Sequence, residues 1–94
     1  MQTMTVARFI EDQIVVSGRS QKLIASECGY ANANMITMIK KNRTKLPLNK
    51  VAALAHALRV DPKYLLRLVM KEYQPEAWAV IVKIMRSESQ CSDQ

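Results

Sequence analysis

The chain has 94 residues, about half of them apolar, with 14 lysines and arginines against 8 aspartates and glutamates and a formal net charge of +6. That length suits one small domain with a modest core and no regulatory domain beside it. Three prolines, two glycines and the lack of any low-complexity run argue against a disordered or fibrous chain.

No apolar run reaches the roughly 18–20 residues that span a bilayer. Arg8, Glu11 and Asp12 stand where a secretion signal would need its apolar stretch, so export is not expected. The two cysteines occupy unlike settings, Cys28 on the apolar side of a helix and Cys91 in a polar tail. That contrast favours a reducing, cytoplasmic interior over a disulfide framework.

The location of the charge says more than its size. Residues 18–50 hold Arg19, Lys22, Lys40, Lys41, Arg43, Lys45 and Lys50 against a single acid, Glu27, whereas basic and acidic residues balance elsewhere. A face that is merely solvated has no reason to carry one sign; a face that meets a polyanion does.

In chain order, Thr5 is placed to cap a first helix running to about residue 16. Val6, Phe9, Ile10 and Ile14 form its buried stripe, and Gly18 stops it. Ser20 caps a second helix whose apolar side is Leu23, Ile24, Ala25 and Cys28. Gly29 follows where a left-handed C′ residue ends a helix. Tyr30, Ala31 and Asn32 make a turn, and the Asn32 side chain offers an oxygen to the free amides of the next helix.

That third helix, expected over residues 33–42, has two faces. Met35, Ile36 and Ile39 turn inward, while Asn34, Thr37, Met38 and Lys41, spaced i, i+3, i+4, i+7, form an outward stripe. A basic loop follows, Asn42, Arg43, Thr44 and Lys45, with Asn42 suited to a left-handed conformation. Pro47 precedes a fourth helix over about residues 48–58, with Val51, Leu54, Ala55 and Leu58 facing the core. Asp61 then Pro62, an acidic cap followed by proline at the first helical position, opens a fifth helix that buries Leu65, Leu66 and Val69. Pro75 and Glu76 open a sixth, carrying Ala77, Trp78, Val80, Ile81, Ile84 and Met85 and fraying after Arg86. No alternating run or hairpin dipeptide supports a strand, so the expected fold class is all-α.

Two short helices around a tight turn, the second apolar behind and polar-cationic in front, form the arrangement that lays a recognition helix into the DNA major groove. An ordinary amphipathic pair in a bundle shows the same periodicity; the one-signed charge favours the first reading. The residues Ser20, Gln21, Leu23, Ala25, Gly29, Ile36 and Ile39, the basic loop, Pro47, the run Val51, Leu54, Ala55, Leu58 and the closing Val60, Asp61, Pro62, Leu65, Leu66 carry a further likeness. Together they resemble the lambda-repressor-like, or XRE-type, helix-turn-helix DNA-binding family over about residues 5–70.

The resemblance implies a five-helix DNA-binding domain over residues 1–74, with the helix-turn-helix at about 20–42. An additional C-terminal helix and polar tail would fill residues 75–94. One departure bears on the site: between Gly29 and Ile36 there is one more residue than the common family spacing, so the turn is longer and the family spacing does not fix the register of the recognition helix. With Ile36 as the buried anchor, the family's base-reading positions fall on Ala33, Asn34, Thr37, Met38 and Lys41. Gln21 matches a position that touches a phosphate and braces the recognition helix. Arg43 and Lys45 match the phosphate-clamping loop, and Arg19, Lys22 and Lys40 add phosphate-binding charge.

The residue chemistry agrees with those roles. Asparagine pairs bidentately with adenine N6 and N7, Thr37 and Met38 can pack on thymine methyls, and Lys41 can reach guanine acceptors or a phosphate. Asn34 has a second reading, as a capping residue of the first turn. His56 has no second ligand at metal-binding spacing, and Gly18 and Gly29 cannot build a phosphate loop. No enzyme activity, metal or cofactor is therefore expected. The expected function is a double-stranded DNA-binding transcriptional regulator of bacterial or phage type, a repressor acting by operator occupancy. The alternative is a protein-binding module on the same fold, an antitoxin with a toxin partner or an inhibitor of a host or defence complex. The apolar arc of the sixth helix is wider than one packing contact needs. A homodimer is therefore expected, with Trp78 near its centre and Ile81, Ile84 and Met85 around it. Otherwise the helix folds back onto the first and fifth helices.

Overall fold

A computed structural model describes the backbone of residues 4–91 and the side chains of residues 4–86. The described chain is all-helical: α1 (Val6–Ser17), α2 (Gln21–Glu27), α3 (Asn34–Lys40), a 3₁₀ turn (Leu48–Lys50), α4 (Val51–Leu58), α5 (Pro62–Tyr73) and α6 (Pro75–Cys91). No strand occurs among the described residues, and no helix there is long and apolar enough to cross a membrane. Cys91, expected in a polar tail, is the last residue of α6, and residues 92–94 of that tail lie outside the described residues.

Local chemistry sets most helix ends. The Thr5 hydroxyl accepts from the Arg8 amide at 3.1 Å, the Ser20 hydroxyl from Leu23 at 3.1 Å and the Asp61 carboxylate from Lys63 at 2.9 Å. Each satisfies an amide that the helix itself leaves without a partner. The α1 start is also held from afar, since the Glu72 carboxylate accepts from the Val6 amide at 2.7 Å. Gly18 closes α1 with φ 68°. Asn42 and Arg59 take the same left-handed conformation after α3 and α4, with φ 60° and 62°.

The helices enclose one core. Ile10, Ile24, Ile36, Ile39, Leu46, Leu54, Leu65, Val6 and Val69 are essentially inaccessible to solvent, each contributing about 1.5–3 kcal/mol by burial. α1 packs on α3, α4 and α5; α2 packs on α3 and α4; α4 packs on α5. Phe9 meets Tyr64 ring to ring at 5.1 Å between centroids.

Several expectations are corrected. Leu23 is exposed, because the two turns of α2 present only Ile24, Ala25 and Cys28 to the core. Leu66 is exposed beside a shallow groove lined by Leu48, Val51, Ala52, Pro62 and Lys63, and Met70 is buried instead. The fourth helix begins as a 3₁₀ turn at Leu48 and becomes regular only at Val51. α3 is shorter than expected, running from Asn34 to Lys40 and leaving Lys41 and Asn42 in the turn behind it.

α6 does not stop near Arg86 but continues to Cys91. Its substantial packing is with α5 and not with α1. The radius of gyration, 15.0 Å, exceeds the roughly 12 Å of a compact chain of this length. The longest dimension is 49 Å.

Candidate nucleic-acid interface

The connection between α2 and α3 is built by glycine and held by a lysine. Gly29 has φ 86°, and the Tyr30 amide reaches back to the Ala25 carbonyl at 2.9 Å while the Gly29 amide reaches Ser26 at 3.0 Å. This paired closure needs a left-handed residue at its centre. The Lys50 ammonium donates to the Cys28 carbonyl at 2.7 Å and lies 4.9 Å from the Tyr30 ring centroid, so it caps the α2 carboxyl end and grips the turn. Lys50 is thereby turned inward. The buried Tyr30 hydroxyl has no hydrogen-bond partner among the described residues; the residue holds the turn through its ring.

α3 starts one residue later than its sequence suggests. From the position before the N-cap, the Asn32 side-chain oxygen accepts from the Asn34 amide at 2.9 Å; the N-cap itself is Ala33, which has no side-chain cap bond of its own. Ala33 is half-buried just ahead of the helix. Ile36 and Ile39 are buried, which fixes the rotation of α3, and Met35 is half-buried. On the other side Asn34 is exposed and its side-chain amide points to the Met38 sulfur at 3.8 Å, one turn along the same stripe. Met38 is half-buried, and Lys41 is exposed at the residue that ends the helix.

Gln21 joins the two helices. From the first residue of α2 its Nε2 donates to the Thr37 hydroxyl at 2.8 Å, and its Oε1 accepts from the Lys40 ammonium at 2.6 Å. The expected brace is therefore present, and its two anchor points on α3 are Thr37 and Lys40. Thr37 is accordingly not a free outward hydroxyl; its hydroxyl oxygen is engaged by α2. Nothing in the sequence marks these pairs, which span 16 and 19 residues.

Arg19 departs from its expected role. Its guanidinium donates to both carboxylate oxygens of Glu27, with one contact at 3.1 Å, and to the Ala57 carbonyl at 2.7 Å. It thus fastens α2 to the end of α4. The hydrogen bond from Arg19 holds the Glu27 carboxyl below its ordinary range, and the charge of Arg19 acts in the same direction against some desolvation. The one acid between residues 18 and 50 is therefore already matched.

Lys22, Lys41, Arg43 and Lys45 remain exposed, with Lys40 half-buried beside Gln21. The loop that carries Arg43 and Lys45 is anchored at both ends. The Arg43 amide donates to the Met38 carbonyl at 2.8 Å, and Leu46 is buried with its amide donating to the Tyr73 hydroxyl at 3.0 Å. Lys45 lies over the same tyrosine, 5.3 Å from the ring centroid. Nothing in the sequence singles out Tyr73, whose partner lies 27 residues away.

In α6, Trp78 is half-buried, whereas Val80, Ile81, Ile84 and Met85 are exposed. The exposed apolar strip is thus displaced from Trp78 toward the C-terminal half of the helix, and it includes Val80. No group of three or more His, Cys, Asp or Glu side chains that could hold a metal ion occurs among the described residues. No family model, curated protein or solved structure matches the chain.

Proposed function

We propose that the protein is a sequence-specific double-stranded DNA-binding transcriptional regulator, with α1–α5 as a lambda-repressor-like domain, acting as a repressor by operator occupancy. The observation that carries this reading is the Gln21 brace. It fixes α3 against the start of α2 with the stripe of Asn34, Met38 and Lys41 turned outward, beside cations that face no unmatched acid of their own segment.

In this reading α3 enters the major groove. Asn34, exposed in its first turn, reads adenine, and the Met38 thioether and Thr37 methyl lie against thymine methyls. Ala33 comes close to the bases at the start of the helix, and Lys41 serves a guanine or a phosphate at its end. Lys22 at the start of α2 and Arg43 and Lys45 in the loop neutralise backbone phosphates, which sets affinity and orientation more than sequence preference. Gln21 holds the two elements in register and offers the free amide positions of the α2 start to a phosphate oxygen.

Selection of bound sequences from a random duplex library with the purified chain tests the proposal. Enrichment of a defined sequence, with binding that weakens steeply as salt rises, is the expected result. A chain that enriches nothing and binds no duplex at low salt would turn the reading toward a protein partner.

A further inference from the structure

We infer that the groove between the start of α4 and the first turns of α5 seats an acidic amphipathic helix of another protein, with its aliphatic side chains in the groove and its carboxylates against Lys63 and Arg67. The inference does not rest on DNA binding, since none of the residues that carry it belongs to the proposed DNA contacts.

The groove is lined by Leu48, Val51, Ala52, Pro62, Lys63 and Leu66 and encloses about 270 Å³. That is smaller than the roughly 300–1,000 Å³ of a small-molecule site, and the groove is shallow and open. It suits side chains inserted from a passing helix better than an enclosed ligand. Leu48, from the 3₁₀ turn, is 53% exposed, and Leu66, from α5, is 38% exposed. Two large aliphatic side chains left in water at one groove mark a surface that a partner covers. An amphipathic helix covers such a groove with aliphatic anchors spaced i, i+3, i+4 and i+7.

Charge chooses the partner. Residues 48–73, which supply both walls, contain two acids, Asp61 and Glu72. Both are engaged by backbone amides: the Asp61 carboxylate accepts from Lys63 at 2.9 Å and that of Glu72 from Val6 at 2.7 Å. In the same stretch Arg59, Lys63, Arg67 and Lys71 are exposed. Lys63 lines the groove, and Arg67 follows it on the same ridge of α5, about 6 Å along the axis. Glutamates spaced i, i+4 on a partner helix have the same separation. Two ion pairs therefore form as the leucines are covered, which sets the orientation of the partner and favours acidic helices over others. Duplex DNA fits this surface less well, because its phosphates gain nothing from Leu48, Pro62 and Leu66.

Selection from a library of helical peptides with randomised surface positions, with the full chain as bait, tests this. The expected result is enrichment of peptides with aliphatic residues at i, i+3 or i+4 beside a row of acids, whose binding weakens as salt rises. Enrichment of peptides without that pattern, or of none, overturns the inference. For an enriched peptide, Leu66→Gln is expected to raise the dissociation constant about tenfold. Leu48→Gln takes its place if Leu66→Gln fails to fold. Lys63→Glu and Arg67→Glu each weaken binding several-fold, and a peptide with its acids exchanged for lysines recovers binding to the doubly reversed chain.

Lys71→Glu makes the same change of charge on α5, but Lys71 lines a separate recess with Met4, Thr5, Leu68 and Glu72. It is expected to leave the affinity unchanged; an equal loss there means general attraction to a basic chain and overturns the inference. Binding that survives Leu66→Gln but falls when Arg43 and Lys45 are replaced with alanine places the peptide on the α3 face and overturns it as well.

Discussion

The Tyr73 hydroxyl accepts a hydrogen bond from the Leu46 amide at 3.0 Å, joining the last residue of α5 to the end of the basic loop 27 residues away. Removing that acceptor leaves a largely sequestered amide without its partner. Tyr73→Phe is expected to lower stability by about 1–2 kcal/mol in urea unfolding and to weaken duplex binding by loosening Lys45. Burial, the larger influence, pushes the Tyr73 phenol above its ordinary value, against a smaller opposing pull from the Leu46 amide. The folded state thus holds that proton more tightly. The associated stability is present below the ordinary value of 10.0 and is lost as pH rises through the higher folded value. An unfolding midpoint identical in Tyr73→Phe and parent from neutral to alkaline pH would count against the whole account.

Gln21 and Asn34 are expected to fail differently. Gln21→Ala frees Thr37 and Lys40 together, so α3 loses its alignment and specific binding weakens by about 1–2 kcal/mol. Asn34→Ala leaves the brace intact and is expected to cost about 1–3 kcal/mol at one base pair, relaxing selectivity there. Competition binding with specific and random duplex measures both. A parent-like ratio in Asn34→Ala would mean that the longer turn has put another residue at that base.

Arg43 and Lys45 are expected to act through charge alone. Replacing both with alanine should weaken binding to all duplex sequences alike. It should also flatten the dependence of log affinity on log salt by about one unit per lost phosphate contact. A slope that does not change would remove the loop from the interface.

The Arg19–Glu27 pair predicts an acid limb in the stability profile. Glu27 titrates below its ordinary 4.5 because Arg19 hydrogen-bonds and attracts its charged form. Its contribution is therefore present above that value and fades as pH falls through the lower folded value. In Glu27→Gln the part of the acid slope due to this group should be absent, which thermal melts between pH 2 and neutrality would reveal as a shallower loss.

Arg59 is the non-glycine residue that ends α4 in the left-handed region, with φ 62° and ψ 40°. That conformation costs a side-chain-bearing residue about 1–2 kcal/mol, offset in part by the greater freedom of glycine in the unfolded chain. Arg59→Gly is expected to raise stability by up to about 1 kcal/mol with binding unchanged. A lower melting temperature would show that the Arg59 side chain contributes something beyond its backbone.

The sequence by itself determined the starts of α1, α2 and α5. Thr5, Ser20 and Asp61 cap their helices as their positions suggested, because a cap is a bond between residues two or three apart and needs nothing from the rest of the chain. The same holds for Gly18, Gly29 and Asn42, whose left-handed backbone is a local requirement. Periodicity likewise identified Ile10, Ile36, Leu54 and Leu65 as core, because burial of one stripe follows from helical geometry.

Only the tertiary structure decided how wide each buried face is and which polar groups meet across helices. Leu23 and Leu66 share the apolar sides of α2 and α5 but lie beyond the edge of the neighbouring helices, so they remain exposed. Arg19 reads as one more cation until folding places Glu27 and the Ala57 carbonyl around it. Gln21 finds Thr37 and Lys40, and Tyr73 finds Leu46, only when separate helices pack. A side-chain hydrogen bond between distant residues depends on the distance and rotation of two helix axes, quantities set by the whole core and carried by no local run of residues.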